Sequence, residues 1–154
     1  MNVAFINPFI AALTNVLKTM AQTELKPGKP SKKSDTKARG DVSGMIGLVG
    51  EELQGSLSIT FEQGLAFEIM NRMLGEKPAE LDDEVSDMVG EIANMVCGGA
   101  KQALAEQGHE FGMATPIVVS GKDHSINHLV DGPKMIMPFT NEFGNAYLEI
   151  CFNK

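Results

Sequence analysis

The sequence predicts an α/β (α+β) fold, a largely antiparallel sheet with long helices packed on it. Apolar residues recur every three or four positions over 7–20 and 81–107, the period of a helix with one buried face. Over 42–61 and 134–152 they alternate instead with polar or small residues, the period of half-buried strands. The coarse order is helix, strands, helix, helix, strands, so each half opens on a long helix and continues with about three strands. This hints at two pseudo-repeated halves, although residue identity between them is too low to prove a duplication.

Asn7-Pro8 reads as the opening of the first helix, with Asn as cap and Pro in the first turn, where its missing N–H is not needed. Phe9, Leu13, Val16, Leu17 and Met20 then form one apolar stripe, expected to pack on the core. A membrane-surface helix would carry Lys or Arg along its polar face, where this one shows Thr14, Asn15 and Lys18. From Lys26 to Arg39 the composition changes: Lys26, Lys29, Lys32, Lys33, Lys37 and Arg39 oppose Asp35, with Pro27, Gly28 and Pro30 between them. That stretch reads as a solvated loop or edge-strand margin, with a basic interaction patch as the second reading.

Val42, Gly44, Ile46 and Leu48 share one strand face, and Leu53, Leu57, Ile59 and Phe61 another, joined across Gly50-Glu51-Glu52 as a β-hairpin. A short helix follows with Leu65, Ile69, Met70, Met73 and Leu74 apolar, ended by Gly75 and Pro78. Leu81 to Gln107 is the longest helical pattern, capped by Asp82 or Asp83 and ended by Gly108. Met113 to Ser120 reads as a strand interrupted near Pro116, residues 121–133 as a loop, and Lys134–Phe139 with Asn145–Phe152 as a terminal hairpin.

At 154 residues the chain is one domain's worth, taken as a single domain over 1–154. A chain of this length buries roughly two-thirds of its unfolded surface, enough to fold without a metal or disulfide. Lys and Arg number 13 against 20 Asp and Glu, a net charge of −7. Coulomb repulsion from phosphate backbones and anionic lipid therefore places nucleic acid and membrane outside the expected partners. Cys97 and Cys151 show no C-x-x-C spacing, so neither a disulfide framework nor a zinc ribbon is written here. The first 20 residues carry their one basic residue, Lys18, after the apolar stretch, the reverse of a secretory signal, and the expected location is cytoplasmic.

The long helical pattern carries the chemistry. Val85, Met88, Val89, Ile92, Val96, Ala100 and Ala103 form the stripe expected on the sheet. Asp87, Glu91, Asn94, Gly98 and Lys101 step by four, three, four and three, forming a second stripe that faces away from the core. Asp87 and Glu91 are like charges one turn apart, which costs a few tenths of a kcal/mol. Asn is a mediocre mid-helix residue, and each glycine of Gly98-Gly99 costs about 1 kcal/mol relative to Ala. The purely structural account is an acidic first half complementing the helix dipole, with the glycines facing the sheet. The functional account is an exposed ridge that a partner's backbone approaches closely at glycine.

Other candidates are weaker. His124 and His128 have the spacing of two zinc ligands on a helix, but the intervening Ser125-Ile126-Asn127 lacks the glutamate of H-E-x-x-H, and the segment reads as a loop. Gly98-Gly99-Ala100-Lys101 lies inside a helix and lacks the G-K-[ST] ending of a phosphate-binding loop. Cys97 lies near the buried stripe, where a thiol is inert, and the ten methionines suit core gaps or an adaptable binding face.

At the exposed ridge the sequence resembles the CheC/CheX/FliY family of chemotaxis phosphatases. The family signature is an acidic or Ser residue, three residues, Glu, two residues, Asn, and Pro 22 positions beyond the Asn; here these are Asp87, Glu91, Asn94 and Pro116. With each residue type at about 5% to 10% of positions, a chance match in such a chain has odds of roughly a few in a thousand. Val89-Gly90-Glu91-Ile92-Ala93-Asn94-Met95, Gly98-Gly99-Ala100-Lys101 and the opening Asn7-Pro8-Phe9 also read like the family, and the similarity runs nearly end to end. Family members carry one or two copies of the motif. The first helix here offers no Glu-x-x-Asn, its segment being Ala11-Ala12-Leu13-Thr14-Asn15, and that departure points to the single-site CheX branch.

The resemblance implies a phosphatase for the aspartyl phosphate of a CheY-type response regulator. It implies that Glu91 pairs with the regulator's active-site lysine and that Asn94 reaches in beside the phosphoryl group to orient the attacking water. Asp87, Gly98 and Lys101 would belong to the docking surface, and Pro116 would be structural, starting or bending a strand near the helix. Mg²⁺ is expected on the partner regulator, no cofactor or metal on this chain, and the chain is expected to be a homodimer joined through its sheet. The second reading is a non-catalytic binding module of the same fold in a chemotaxis or flagellar-switch complex; the third is a dimerising scaffold in which the motif serves helix packing alone.

Overall fold

A computed structural model of the chain describes residues 3–51, 54–122, 124–128, 130 and 132–152. Its elements in chain order are α1 (Val3–Ala21), β1 (Lys26–Pro27), β2 (Ser31–Lys32), β3 (Val42–Val49), β4 (Gln54–Phe61), α2 (Gln63–Leu74), α3 (Asp83–Glu106), β5 (Gly112–Met113), β6 (Ile117–Ser120), β7 (Lys134–Asn141) and β8 (Gly144–Phe152). The strands form one antiparallel sheet in the order β1-β7-β8-β4-β3-β5, with β2 also on β7 and β6 also on β3. At its centre β4 pairs β8 with Leu57 opposite Ile150 and Ile59 opposite Leu148. The short helix expected after the first hairpin forms as α2, ended by Gly75.

One sheet face is apolar because every second residue is: Ile46, Leu48, Leu57, Ile59, Phe61, Leu148, Ile150 and Phe152 are buried. They share a core with Phe9, Leu13 and Leu17 of α1, Leu65 and Ile69 of α2, and Val85, Val89, Ile92 and Val96 of α3. Each such side chain contributes about 1.5–3 kcal/mol of burial. The two expected hairpins, 42–61 and 134–152, pair as read, and Glu52 of the first turn and Leu53 lie outside the described residues.

Several expectations are corrected. The first helix does not open at Asn7-Pro8: it runs from Val3, with Pro8 inside it. Packing carries the helix past the cap signal, since Ile6 is buried and the Phe5 ring lies 5.4 Å from Phe152 and 4.7 Å from His109. Met20, expected in the buried stripe of the first helix, is 47% exposed because Leu17 and Ala21 take the inward positions of its last turn; in α2 the apolar Leu74 is 60% exposed, with Met70 and Met73 turned inward. The basic 26–39 segment is the edge-strand margin expected, but it is only partly solvated. It supplies edge strands β1 and β2, Arg39 forks onto Asp35 at 2.9 Å, and Lys33 is fully buried.

Lys33 belongs to a layer that the alternation did not reveal. On the sheet face away from the helices, Ser43, Ser56, Ser58, Thr60 and Glu149 are buried as well. They lie under two facing segments, tied by Ala38 N–H to the His124 carbonyl (2.9 Å) and Ile126 N–H to the Thr36 carbonyl (2.6 Å). Lys33 Nζ donates to Glu149 Oε2 at 2.7 Å, and His128 links Glu149 Oε1 (3.3 Å) to the Ser56 hydroxyl. His124 Nε2 meets Ser43 Oγ at 2.7 Å, and Ser43 Oγ meets Thr60 Oγ1 at 2.6 Å. Burial by itself would raise the Glu149 pKa, but hydrogen bonds from His128 and Lys33, and their charge, outweigh it and hold the carboxyl below its ordinary value.

Candidate functional site: an exposed ridge on the long helix

Helix α3 is set by its first turn. Asp82 is the cap, its carboxylate accepting from Val85 N–H at 3.0 Å, and Asp83 and Glu84 follow where the dipole favours acid. Val85, Met88, Val89, Ile92, Val96, Ala100 and Leu104 turn inward. The opposite stripe is open: Asp87, Glu91 and Lys101 are exposed, and Asn94 and Gly98 half-buried. Among the described residues no hydrogen bond or ion pair ties the side chains of Asp87, Glu91, Asn94 or Lys101 to the rest of the chain. Carboxylate and amide at i and i+3 lie about 5–6 Å apart at Cβ, on one side of the helix.

The structural account of the glycines fails on geometry. A Cβ on Gly98 would meet nothing within 4 Å, and one on Gly99 would meet the Ala12 methyl of α1 at 3.3 Å, so neither faces the sheet. Gly98 leaves the ridge low beyond Asn94, while Gly99 lets α1 lie close. The glycine that does face the sheet on α3 is Gly90, where an added Cβ would come 3.2 Å from Val118 Cγ2. Sequence reasoning passed over it, and the available signal was the cost of about 1 kcal/mol for glycine in a helix interior.

Pro116 is half-buried between β5 and β6. Met113 pairs Leu48 and Ile117 pairs Met45, so residues 114–116 stand opposite only residues 46 and 47. The edge therefore bulges by one residue where proline has no N–H to offer the ladder, and Ala114 N–H takes the Gly47 carbonyl at 3.0 Å.

His124 and His128 are held by the polar layer under the sheet, away from α3. Among the described residues no group of three His, Cys, Asp or Glu is placed to hold a metal ion. Cys97 is buried, and burial pushes its thiol pKa up to about 12, which removes thiolate chemistry at neutral pH. A cleft of about 480 Å³ is lined by Lys18, Gln22, Glu24, Arg72, Asn141, Glu142 and Phe143, with no residue of the α3 ridge. The ridge is an exposed helix surface that takes no part in this cleft. No described helix is long and apolar enough to cross a membrane.

Residues 42–140 match the family model for chemotaxis phosphatase CheX. A CheC-like superfamily protein from Shewanella sp. PV-4 is 64% identical, with a TM-score of 0.95 and 100% of each chain covered. The CheY-P phosphatase CheX of Thermotoga maritima is 28% identical over 127 residues, 82% of this chain and 81% of that protein. A Borrelia burgdorferi CheX, solved as a CheX-CheY-BeF3-Mg²⁺ complex, is 26% identical with a TM-score of 0.82, covering 97% of this chain and 98% of that one.

Proposed function

This chain belongs to the chemotaxis phosphatase CheX family, and from that membership we propose that it dephosphorylates the aspartyl phosphate of a CheY-type response regulator. The observation that carries the reading is the placement of exposed Glu91 and half-buried Asn94 one turn apart on α3, neither side chain tied by a hydrogen bond or ion pair among the described residues. The Thermotoga relative named CheY-P phosphatase and the Borrelia CheX solved with CheY support the choice of substrate.

In this reading α3 docks against the regulator's phosphorylation site, and Glu91 pairs with the regulator's lysine. Asn94 enters beside the phosphoryl group and orients a water in line with the phosphorus. A carboxamide donates one hydrogen bond and accepts another, which suits a water, and it cannot take a proton, so it acts by position alone. The regulator's Mg²⁺ would supply charge stabilisation at the phosphoryl oxygens, and in this reading no cofactor is asked of this chain. An acceleration of ten- to a thousandfold over self-hydrolysis corresponds to about 1.4 to 4 kcal/mol, within what orientation provides. Asp87, Gly98 and Lys101 border the contact. The chain works in the cytoplasm as a homodimer joined through its sheet, where Val49 (57% exposed) and Ile117 (60% exposed) supply apolar surface at the β3–β6 margin.

The test mixes the protein with a CheY-type regulator, Mg²⁺ and a small phosphodonor and follows phosphate release. Asn94→Ala is expected to abolish the acceleration and keep binding, and Glu91→Ala to weaken binding. Binding without any acceleration by the wild type would overturn the enzyme and leave the non-catalytic docking module.

A further inference from the structure

The two residues assigned to the chemistry each follow a small residue that faces the sheet: Gly90 precedes Glu91, and Ala93 precedes Asn94. Both small residues are buried, and beneath them lie Gly44 of β3 and Val118 of β6, which are direct partners across the two strands. A Cβ on Gly44 would come 3.1 Å from the Ala93 methyl and 3.1 Å from the Val89 carbonyl oxygen; one on Gly90 would come 3.2 Å from Val118 Cγ2. Such gaps would be tighter than ordinary van der Waals contact, so beneath the ridge α3 is seated closer to the sheet than a Cβ at either glycine would allow without a shift.

We propose that this seat, and Gly90 in particular, is a positioning element for catalysis: it sets how far Glu91 and Asn94 stand out from the sheet when the regulator docks. The inference rests on the phosphatase reading and extends it to residues that touch neither substrate nor partner. Pro116 joins the same device, because the bulge at residues 114–116 sets the register in which Val118 faces Gly44. Adding a methyl at residue 90 requires the helix or Val118 to yield by a few tenths of an ångström. A misplacement of 1 Å costs on the order of a hundredfold in an oriented reaction, so a few tenths cost several-fold.

The test compares Gly90→Ala, Val118→Ala and the double variant on phosphorylated regulator, reading kcat and KM separately beside thermal unfolding. Gly90→Ala is expected to lower kcat about three- to tenfold with KM nearly unchanged, although alanine favours the helix. Removing the opposing methyls in the double variant is expected to restore kcat to that of Val118→Ala alone. A role in folding alone would move the unfolding temperature and leave kcat in place. Unchanged kcat in folded Gly90→Ala, or no recovery in the double variant, would overturn the proposal. The side-chain amide NMR signal of Asn94 reads the displacement without any activity: it should shift in Gly90→Ala and return in the double variant. An inactive wild type would therefore sink the phosphatase reading while the NMR comparison still decides whether Gly90 places Asn94, an unmoved signal counting against it.

Discussion

The two faces of the sheet are buried by opposite chemistry. Toward the helices, Leu57, Ile59, Phe61, Leu148 and Ile150 meet other apolar side chains, a contact that is non-directional and tolerant of small shifts. On the other face Lys33, Glu149, His128 and Ser56 form a chain of directed bonds in which each group depends on its neighbour. The comparison separates two duties. The ridge proposed for docking stands on the outer side of the helix layer, while the ionic layer pins segments 33–39 and 124–128 to the far side of the sheet. Changes in one should leave the other's readout alone.

The largest expected effect is on stability. Lys33 and Glu149 side chains are 0% and 1% exposed, so Lys33→Met leaves the buried carboxylate with His128 as its one remaining ionisable partner among the described residues. That should cost about 3–5 kcal/mol in urea unfolding, with phosphate release per folded molecule unchanged. A loss under about 1 kcal/mol would mean that the layer is solvated and the contrast between faces is false. Asn94→Ala should do the reverse, removing about 1.4 to 4 kcal/mol of barrier lowering at an unchanged unfolding midpoint.

Acid sharpens the same contrast. Glu149 has a folded pKa below the ordinary 4.5, so its contribution is full above that value and is lost as pH falls toward the lower folded one. Stability measured from pH 6 downward should therefore fall more steeply in the wild type than in Glu149→Gln below about pH 4.5. Equal slopes would remove Glu149 from the acid response. The smallest effect lies at the helix start: Asp82→Ala leaves Val85 N–H without its acceptor and should cost about 1 kcal/mol, read as a lower thermal midpoint.

The local part of this molecule was legible. Leu57, Ile59 and Phe61 alternate along one strand, and the Asp87, Glu91, Asn94 stripe fits within a few turns of one helix, so spacing alone places each set on one face. The start of α1 was misread because a cap is a weak local signal, overridden when Phe5 and Ile6 found apolar partners. Lys33 was misread for a different reason: among the lysines of a basic loop nothing marks the one whose carboxylate lies 116 residues away. The seat under the ridge was missed likewise, since Gly44, Gly90 and Val118 acquire their meaning only together.

The chain's own order of residues determined the antiparallel framework, the helix faces and which side chains share the ridge, because periodicity and motif spacing act over distances that neighbouring residues span. Tertiary structure decided which lysine is buried, which glycine lowers the helix and how far Asn94 stands above the sheet. Those outcomes depend on contacts between segments remote in sequence, where packing and Coulomb energies reward a pairing that no local pattern encodes.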